Sequence, residues 1–439
     1  MHGFTSRNRA LGGGVVAALT ALTLSATADA ASGGLPGPPA ADAGAAKQGQ
    51  RVVSGAGNNR ALERQAALLP VAERLNKKAK AGDSEIAGVR LDADAGVLHV
   101  YTTDTTTARD AAGSVPAGTE LRVHGAAFSR GEMMAALARV RDDGKALGQQ
   151  RIGVAGMGPN EDGSGITITV VGDDADRVAA ARVLRARYGD VVADVRAVAH
   201  APSSGDLFFA GFRFNDYAPW YGGDRLASSS GGCTSGMAAT VNSAPAVLTA
   251  AHCGSYGTGF YNGPRSNNAF NWMGSMNYDD DNADVAAIGV TSTSNNINVG
   301  GDPQVPSQRY IGSWGSPVVG QYMCQSGSYT GERCNLRVVA TYQFICRTYN
   351  NGCLAWWYPM TDAINNAGSA YAAAGYGDSG GPIYLQGTST GMGLVHGTLS
   401  PSSAARFPAY SPVNVWCPSP EGWQQRCSSG FSFAHLPGR

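Results

Sequence analysis

Gly377-Asp378-Ser379-Gly380-Gly381-Pro382 is a glycine-rich turn that holds one serine, and Thr249-Ala250-Ala251-His252-Cys253 upstream holds a histidine. A serine hydroxyl is a poor nucleophile until an imidazole takes its proton and a third group orients that imidazole. The glycines let the turn adopt backbone angles that other residues resist, and let a carbonyl approach the backbone N–H groups. Together the two stretches offer Ser379 as a nucleophile and His252 as its base.

On these two stretches the chain resembles the chymotrypsin-like serine proteases, in particular the secreted bacterial branch that includes the streptogrisins and alpha-lytic protease. The resemblance implies a chain order of His, Asp, Ser. Asp284 fits the middle position, because it opens the apolar run Val285-Ala286-Ala287-Ile288. Asp279, Asp280 and Asp281 form an acidic run that reads as a solvated turn or weak cation site. Residues 377–381 also match G-x-S-x-G, the nucleophile elbow of α/β-hydrolases, but that fold puts its acid and histidine after the serine. Downstream of Ser379 there is no Asp, and the only acid, Glu421, lies between His396 and His435 with no strand–helix alternation.

The chain has 439 residues and eight cysteines, all between 233 and 427. All seven tryptophans lie at or beyond Trp220, and no lysine follows Lys145. Such uneven usage divides the chain into two folding units. Arg7 and Arg9, the short apolar stretch Leu11 to Leu24, and Ala28-Asp29-Ala30 read as a signal peptide over 1–30. The expected location is therefore secreted and extracellular, an oxidising compartment where the cysteines pair. The formal net charge is zero. No basic patch or basic amphipathic helix points to nucleic acid or a membrane.

Residues 31–58, rich in Ala, Gly and Pro, read as a flexible leader. Residues 59–203 read as a small α/β unit. A helix is expected through Leu62, Ala66 and Leu69, and paired strands at Val89–Leu91 and Val97–Tyr101. Ser129-Arg130-Gly131-Glu132 is a capping box opening a helix through about Leu147. A strand is expected at Ile166–Val171, a helix with the stripe Val178, Ala181, Leu184 and Tyr188, and a strand at Val191–Val198. His99, His124 and His200 lack metal-ligand spacing. The unit resembles the family's pro-region, which implies a folding partner and inhibitor. A disulfide-bonded β-barrel is dominated by non-local contacts and folds slowly without help. The rival reading is an accessory binding domain kept in the mature enzyme.

From about residue 204 short apolar runs alternate with Gly, Ser and Asn turns, which reads as all-β. For 217–439 the resemblance implies two six-stranded antiparallel β-barrels, with His252 and Asp284 from the first and Ser379 from the second. The mature start is expected near 201–217. No Ile-Val-Gly-Gly start is visible, so activation by inserting a new N-terminus is not expected.

Cys233–Cys253 matches the family bridge that clamps the histidine loop, and Cys324–Cys334 resembles a second. Cys346–Cys353 and Cys417–Cys427 are expected as local bridges, each worth about 2–3 kcal/mol. The family places an arginine where Gln325 stands, to pair with the aspartate of the serine box; Asp378 must find another partner. Tyr410-Ser411-Pro412-Val413 resembles the strand before the family's terminal helix. The resemblance implies an oxyanion hole from the N–H groups of Gly377 and Ser379. It puts Ala373 at the floor of the primary pocket, His396 and Thr398 along its wall and Tyr376 at its entrance. With no acid at the floor, an apolar or large side chain is expected over Lys or Arg. The implied function is a secreted serine endopeptidase acting on polypeptides as a monomer, with no metal or organic cofactor. The alternatives are an inactive binding protein on the same fold and a non-peptidase serine hydrolase.

Overall fold

The computed structural model describes residues 56–80, 84–199, 213, 216–229, 231–263, 271–300, 307–349, 353–410, 415–418 and 424–436. The expected signal peptide and nearly all of the leader lie outside these residues, as does most of the stretch 201–217.

The N-terminal unit runs α1 (Ala56–Lys80), β1 (Ile86–Asp92), β2 (Val97–Thr102), α2 (Thr105–Ala112), β3 (Glu120–Gly125), α3 (Arg130–Asp142), α4 (Gly144–Gln149), β4 (Val154–Pro159), β5 (Ile166–Val171), α5 (Asp174–Tyr188) and β6 (Val192–Val198). β1 and β2 form an antiparallel hairpin. α2 carries the chain from β2 to the parallel strand β3, and α5 does the same between β5 and β6. Ser129 and Glu132 form the reciprocal capping box that starts α3. The helix expected through Leu147 breaks at Asp143, whose carboxylate is held by Arg187 and the Tyr188 hydroxyl. The α5 stripe holds at Leu184 and Tyr188, with Ala180 completing the buried face. Val178 departs from it and is exposed. It lies six residues before Leu184, about a third of a turn off that face at 3.6 residues per turn.

The rest of the described chain is mostly strand. One sheet has seven strands, in the spatial order 238–241, 244–249, 285–289, 271–280, 259–262, 225–228, 231–234. Among the described residues no pairing closes it, so its count differs from the six expected. The other takes 322–327, 382–385, 390–398, 430–435, 353–365 and 331–349 in that spatial order, and its first and last strands also pair with each other. Its last strand in sequence, Gly430–His435, follows the disulfide-joined hairpin of 415–418 and 424–428. Of the stretch expected as the strand before a terminal helix, Tyr410 ends a short 3-10 turn, and 411–413 lie outside the described residues. The sheet also continues into the N-terminal unit, because β4 pairs with 331–349 through Met157–Phe344 and Gly156–Ile345.

Alternation explains why Asp284 leads a continuous apolar run. Ala286 and Ile288 face the first core with Phe260 and Met276. Val285 and Ala287 face the other way and pack with Trp357, Met360 and Leu394 of the second sheet. Successive side chains point to opposite faces, so a strand buried on both sides must be apolar throughout.

Candidate active site

His252 lies on a one-turn 3-10 segment, Ala251–Cys253, just after the strand Ala244–Thr249, and Cys253 is bridged to Cys233. Asp284 enters its strand with φ +54°, a left-handed conformation unusual for a residue with a Cβ. The preceding turn is tied by Asp280, whose Oδ1 accepts the N–H groups of Asn282 and Ala283. Arg347 pairs with Asp281 at 2.9 Å. The acidic run is thus a structural turn that delivers Asp284.

Asp284 is fully buried. Its Oδ1 accepts the backbone N–H of His252 at 2.9 Å, and its Oδ2 lies 2.9 Å from His252 Nδ1. A second imidazole shares the acid: His396 Nδ1 lies 2.6 Å from Oδ2. Each neutral ring then carries its proton on Nδ1, and His252 Nε2 is left as an acceptor. The two rings stand edge to face at 5.6 Å, and Trp357 packs 4.5 Å from the His396 ring. Burial alone would raise the Asp284 pKa, but the two imidazoles hold it well below the ordinary carboxylate range. Burial would likewise lower His252, but the Asp284 charge and hydrogen bond outweigh it and raise the imidazole.

Ser379 contacts the first sheet beside the His252 segment. Its carbonyl accepts the N–H of Thr234 at 2.8 Å and lies 3.9 Å from Cys253 Sγ, the residue after His252. Its hydroxyl donates to the His396 carbonyl at 3.3 Å, and among the described residues it makes no hydrogen bond to His252. Nucleophile–base hydrogen bonds often tighten only once substrate is bound. Gly377 has φ +84°, and a Cβ there would fall 2.5 Å from the Tyr329 ring. The N–H groups of Gly377 and Ser379 find no acceptor among the described residues, which leaves two donors beside the serine.

Asp378 finds four neutral donors in place of the expected arginine. Its Oδ1 accepts the N–H groups of Tyr329 and Thr330, both at 3.1 Å. Its Oδ2 accepts the Thr330 hydroxyl at 2.5 Å and the Gly375 N–H at 2.9 Å. Gln325 remains connected, because its Nε2 donates to Thr330 Oγ1 at 2.9 Å. Burial raises the Asp378 pKa against these bonds.

The four residues expected around the primary pocket differ in their surroundings. Ala373 is fully buried in the second core, with its N–H on the Ser428 carbonyl. The His396 ring turns toward Asp284, because it shares a strand face with Leu394, which packs between the two sheets. Tyr376 is half-buried and Thr398 exposed. Alternation along Leu394-Val395-His396 was the signal that could have assigned His396. No local signal marked Thr330. The structure brings the eight cysteines together as 233–253, 324–334, 346–353 and 417–427. A ligand atom from each of His252, Asp284 and His396 lies within 4.8 Å of the others, a spacing that hydrogen bonding already accounts for. A cavity of about 1470 Å³ opens between α1 and the two sheets. It is lined by Ala283 and Val285 but not by His252, Asp284 or Ser379.

Residues 215–416 match the Trypsin family. Among solved structures, protease A of Thermobifida fusca is 23% identical, over 41% of this chain and 83% of that one, with a TM-score of 0.31. A Nocardiopsis protease is 24% identical, over 41% and 84%, with a TM-score of 0.31. A Cellulomonas bogoriensis chymotrypsin is 21% identical, over 41% and 83%, with a TM-score of 0.30. No curated protein matches.

Proposed function

We propose, from the premise that residues 215–416 form a trypsin-family domain, that this domain is a serine endopeptidase made as a secreted pro-enzyme. Ser379 attacks the peptide carbonyl, and His252 takes its proton and returns it to the leaving amine. Asp284 fixes the imidazole tautomer and supports its positive charge. The N–H groups of Gly377 and Ser379 bind the oxyanion, each donor worth about 2.7–4 kcal/mol. The observation that supports this reading is that His252 and His396 share Asp284, that the His396 carbonyl accepts the Ser379 hydroxyl, and that the N–H groups of Gly377 and Ser379 make no hydrogen bond among the described residues.

The N-terminal unit acts as the folding partner in this reading, supported by its strand pairing with 331–349. Four disulfides suit an exported chain, and no helix among the described residues is long and apolar enough to cross a membrane. With no acid at position 373, the preference is for apolar or large side chains over Lys and Arg.

The test is Ser379→Ala in the full chain. A fluorophosphonate probe labels the wild type at Ser379 and leaves the variant unlabelled, casein hydrolysis falls roughly a million-fold, and the variant is secreted without maturing. Casein hydrolysis that survives the substitution overturns the mechanism. Full maturation of the variant in a protease-free host overturns self-processing alone.

A further inference from the structure

Arg213 stands two residues before the trypsin-family match begins and inside the stretch 201–217 where a maturation cut is expected. Its side chain is nonetheless buried, 3% exposed. Nη1 donates to the Asn298 carbonyl at 2.8 Å and the Ser326 hydroxyl at 2.7 Å, with the Gly223 and Ser326 carbonyls at 3.2 and 3.4 Å. Nη2 donates to the Gly300 carbonyl at 3.1 Å. One guanidinium therefore ties the first sheet's entry, the segment between the sheets and the second sheet. Its backbone is held as firmly, because its carbonyl accepts from Arg225 N at 2.7 Å and Asn262 Nδ2 at 2.9 Å. Asp216 continues the seam: its N–H donates to Asn262 Oδ1, and its carbonyl accepts from Asn271 Nδ2.

The far end of this tie reaches the catalytic turn. Ser326 begins the segment 326–330 on which the turn rests. A Cβ on Gly327 would fall 2.1 Å from the Asp378 carboxyl carbon, so that backbone lies flat against Asp378. Ser328 Oγ lies 2.8 Å from Thr234 Oγ1, which also lies 2.8 Å from the Gly377 carbonyl. Tyr329 and Thr330 give Asp378 its two Oδ1 bonds. Removing Arg213 would strand several buried acceptors at the start of this segment, and a buried polar group left unpaired is costly.

We propose that Arg213 is a positioning residue of the mature enzyme: the maturation cut falls on its N-terminal side, and its guanidinium fixes the 326–330 backbone that shapes the Gly377–Ser379 oxyanion turn. The proposal rests on the pro-enzyme reading above. It uses a cation carried on an N-terminal arm where that reading has neither an inserted N-terminus nor an arginine at 325.

The experiment expresses the full chain and measures the intact mass of the matured wild type, together with kcat, KM and fluorophosphonate labelling of Arg213→Met and Arg213→Lys. The mature chain is expected to begin at or before Arg213. Loss of one oxyanion donor costs about 10²–10³ in kcat, so partial displacement of the turn should lower kcat at least about tenfold in Arg213→Met, with KM within about threefold. Arg213→Lys keeps the charge but reaches fewer acceptors, and should recover part of the loss. A mature chain that starts after Arg213 overturns the proposal, as does an Arg213→Met enzyme with wild-type kcat and only a lower melting temperature. If Arg213→Met does not accumulate, the Lys variant carries the same prediction, and wild-type kcat in it is the overturning result. A wild type that neither labels nor cleaves casein removes the protease reading itself, a different failure.

Discussion

Thr330→Val tests the neutral anchoring of the catalytic turn at nearly constant volume. The Thr330 hydroxyl donates to Asp378 Oδ2 at 2.5 Å and is the shortest of the four donors to that fully buried carboxyl. A hydrogen bond to a charged group is worth about 1.5–3 kcal/mol. Gln325 Nε2 loses the same partner but keeps the Ala373 and Gly331 carbonyls at 3.1 and 3.3 Å, so its share of the cost is small. The expected loss is about 2 kcal/mol, or a melting temperature lower by about 4–8 °C for a domain of this size.

The loss should depend on pH, with a sign fixed by burial. Burial already raises the Asp378 pKa, and removing a donor to the carboxylate raises it further. A group whose folded pKa is raised favours the folded state below its unfolded pKa, and that advantage fades as pH rises through the folded value. The variant should therefore match the wild type best near pH 4 and fall furthest behind near pH 8. Because Asp378 sits between the two proposed oxyanion donors, kcat should also fall several-fold with KM little changed. Thermal unfolding across pH and steady-state kinetics check both, and Thr330→Ser should restore them. Stability within about 0.5 kcal/mol of wild type at every pH, with unchanged kcat, would refute the reasoning.

Two further outcomes follow from the shared acid. The acid limb of the kcat/KM profile should lie above the ordinary imidazole value of about 6.5, because Asp284 holds the His252 pKa up and the base must be neutral to accept the serine proton; a limb at or below that value contradicts the geometry. His396→Leu removes one of the two donors to Asp284 Oδ2. More of the acid's charge then bears on His252, so the limb should move to still higher pH as kcat falls, and an unmoved limb would make His396 a packing residue only.

The parts of the site legible in the sequence were those whose chemistry is local. The turn at 377–382, the histidine before Cys253 and the acid opening an apolar strand each declare themselves within a few residues. The Ser129–Glu132 capping box is legible for the same reason, since both of its hydrogen bonds close inside one turn. What failed depended on partners far along the chain. α3 ends at Asp143 because Arg187 and Tyr188 hold that carboxylate from α5. Asp378 is satisfied from 329–330, some fifty residues earlier, and the sequence names no complement for a neutral anchor as it does for an arginine. The strand Gly430–His435 was not foreseen, because a disulfide hairpin intervenes before it.

The alternation along 344–346 and 356–357 gives a physical reason for an attached folding partner. Phe344, Cys346 and Trp356 point into the core of the N-terminal unit, alongside Met157. Ile345 and Trp357, one residue over on the same hairpin, point into the core between the two sheets, with Leu248 and Val285. Trp357 also flanks the His396 ring that shares Asp284. The hairpin is thus apolar on both faces, and only one face is covered from within residues 215–436. A strand pair that must bury two faces gains little from pairing before both covers exist, and the contacts on its inner face are distant in sequence and slow to form. β4 supplies the outer cover from a unit of two antiparallel hairpins and two parallel strands joined across helices. Covering Phe344 and Trp356 would order the hairpin, and an ordered hairpin presents Ile345 and Trp357 to the strand that Asp284 opens. The N-terminal unit would then assist assembly of the acid's pocket through one shared hairpin, without touching the acid.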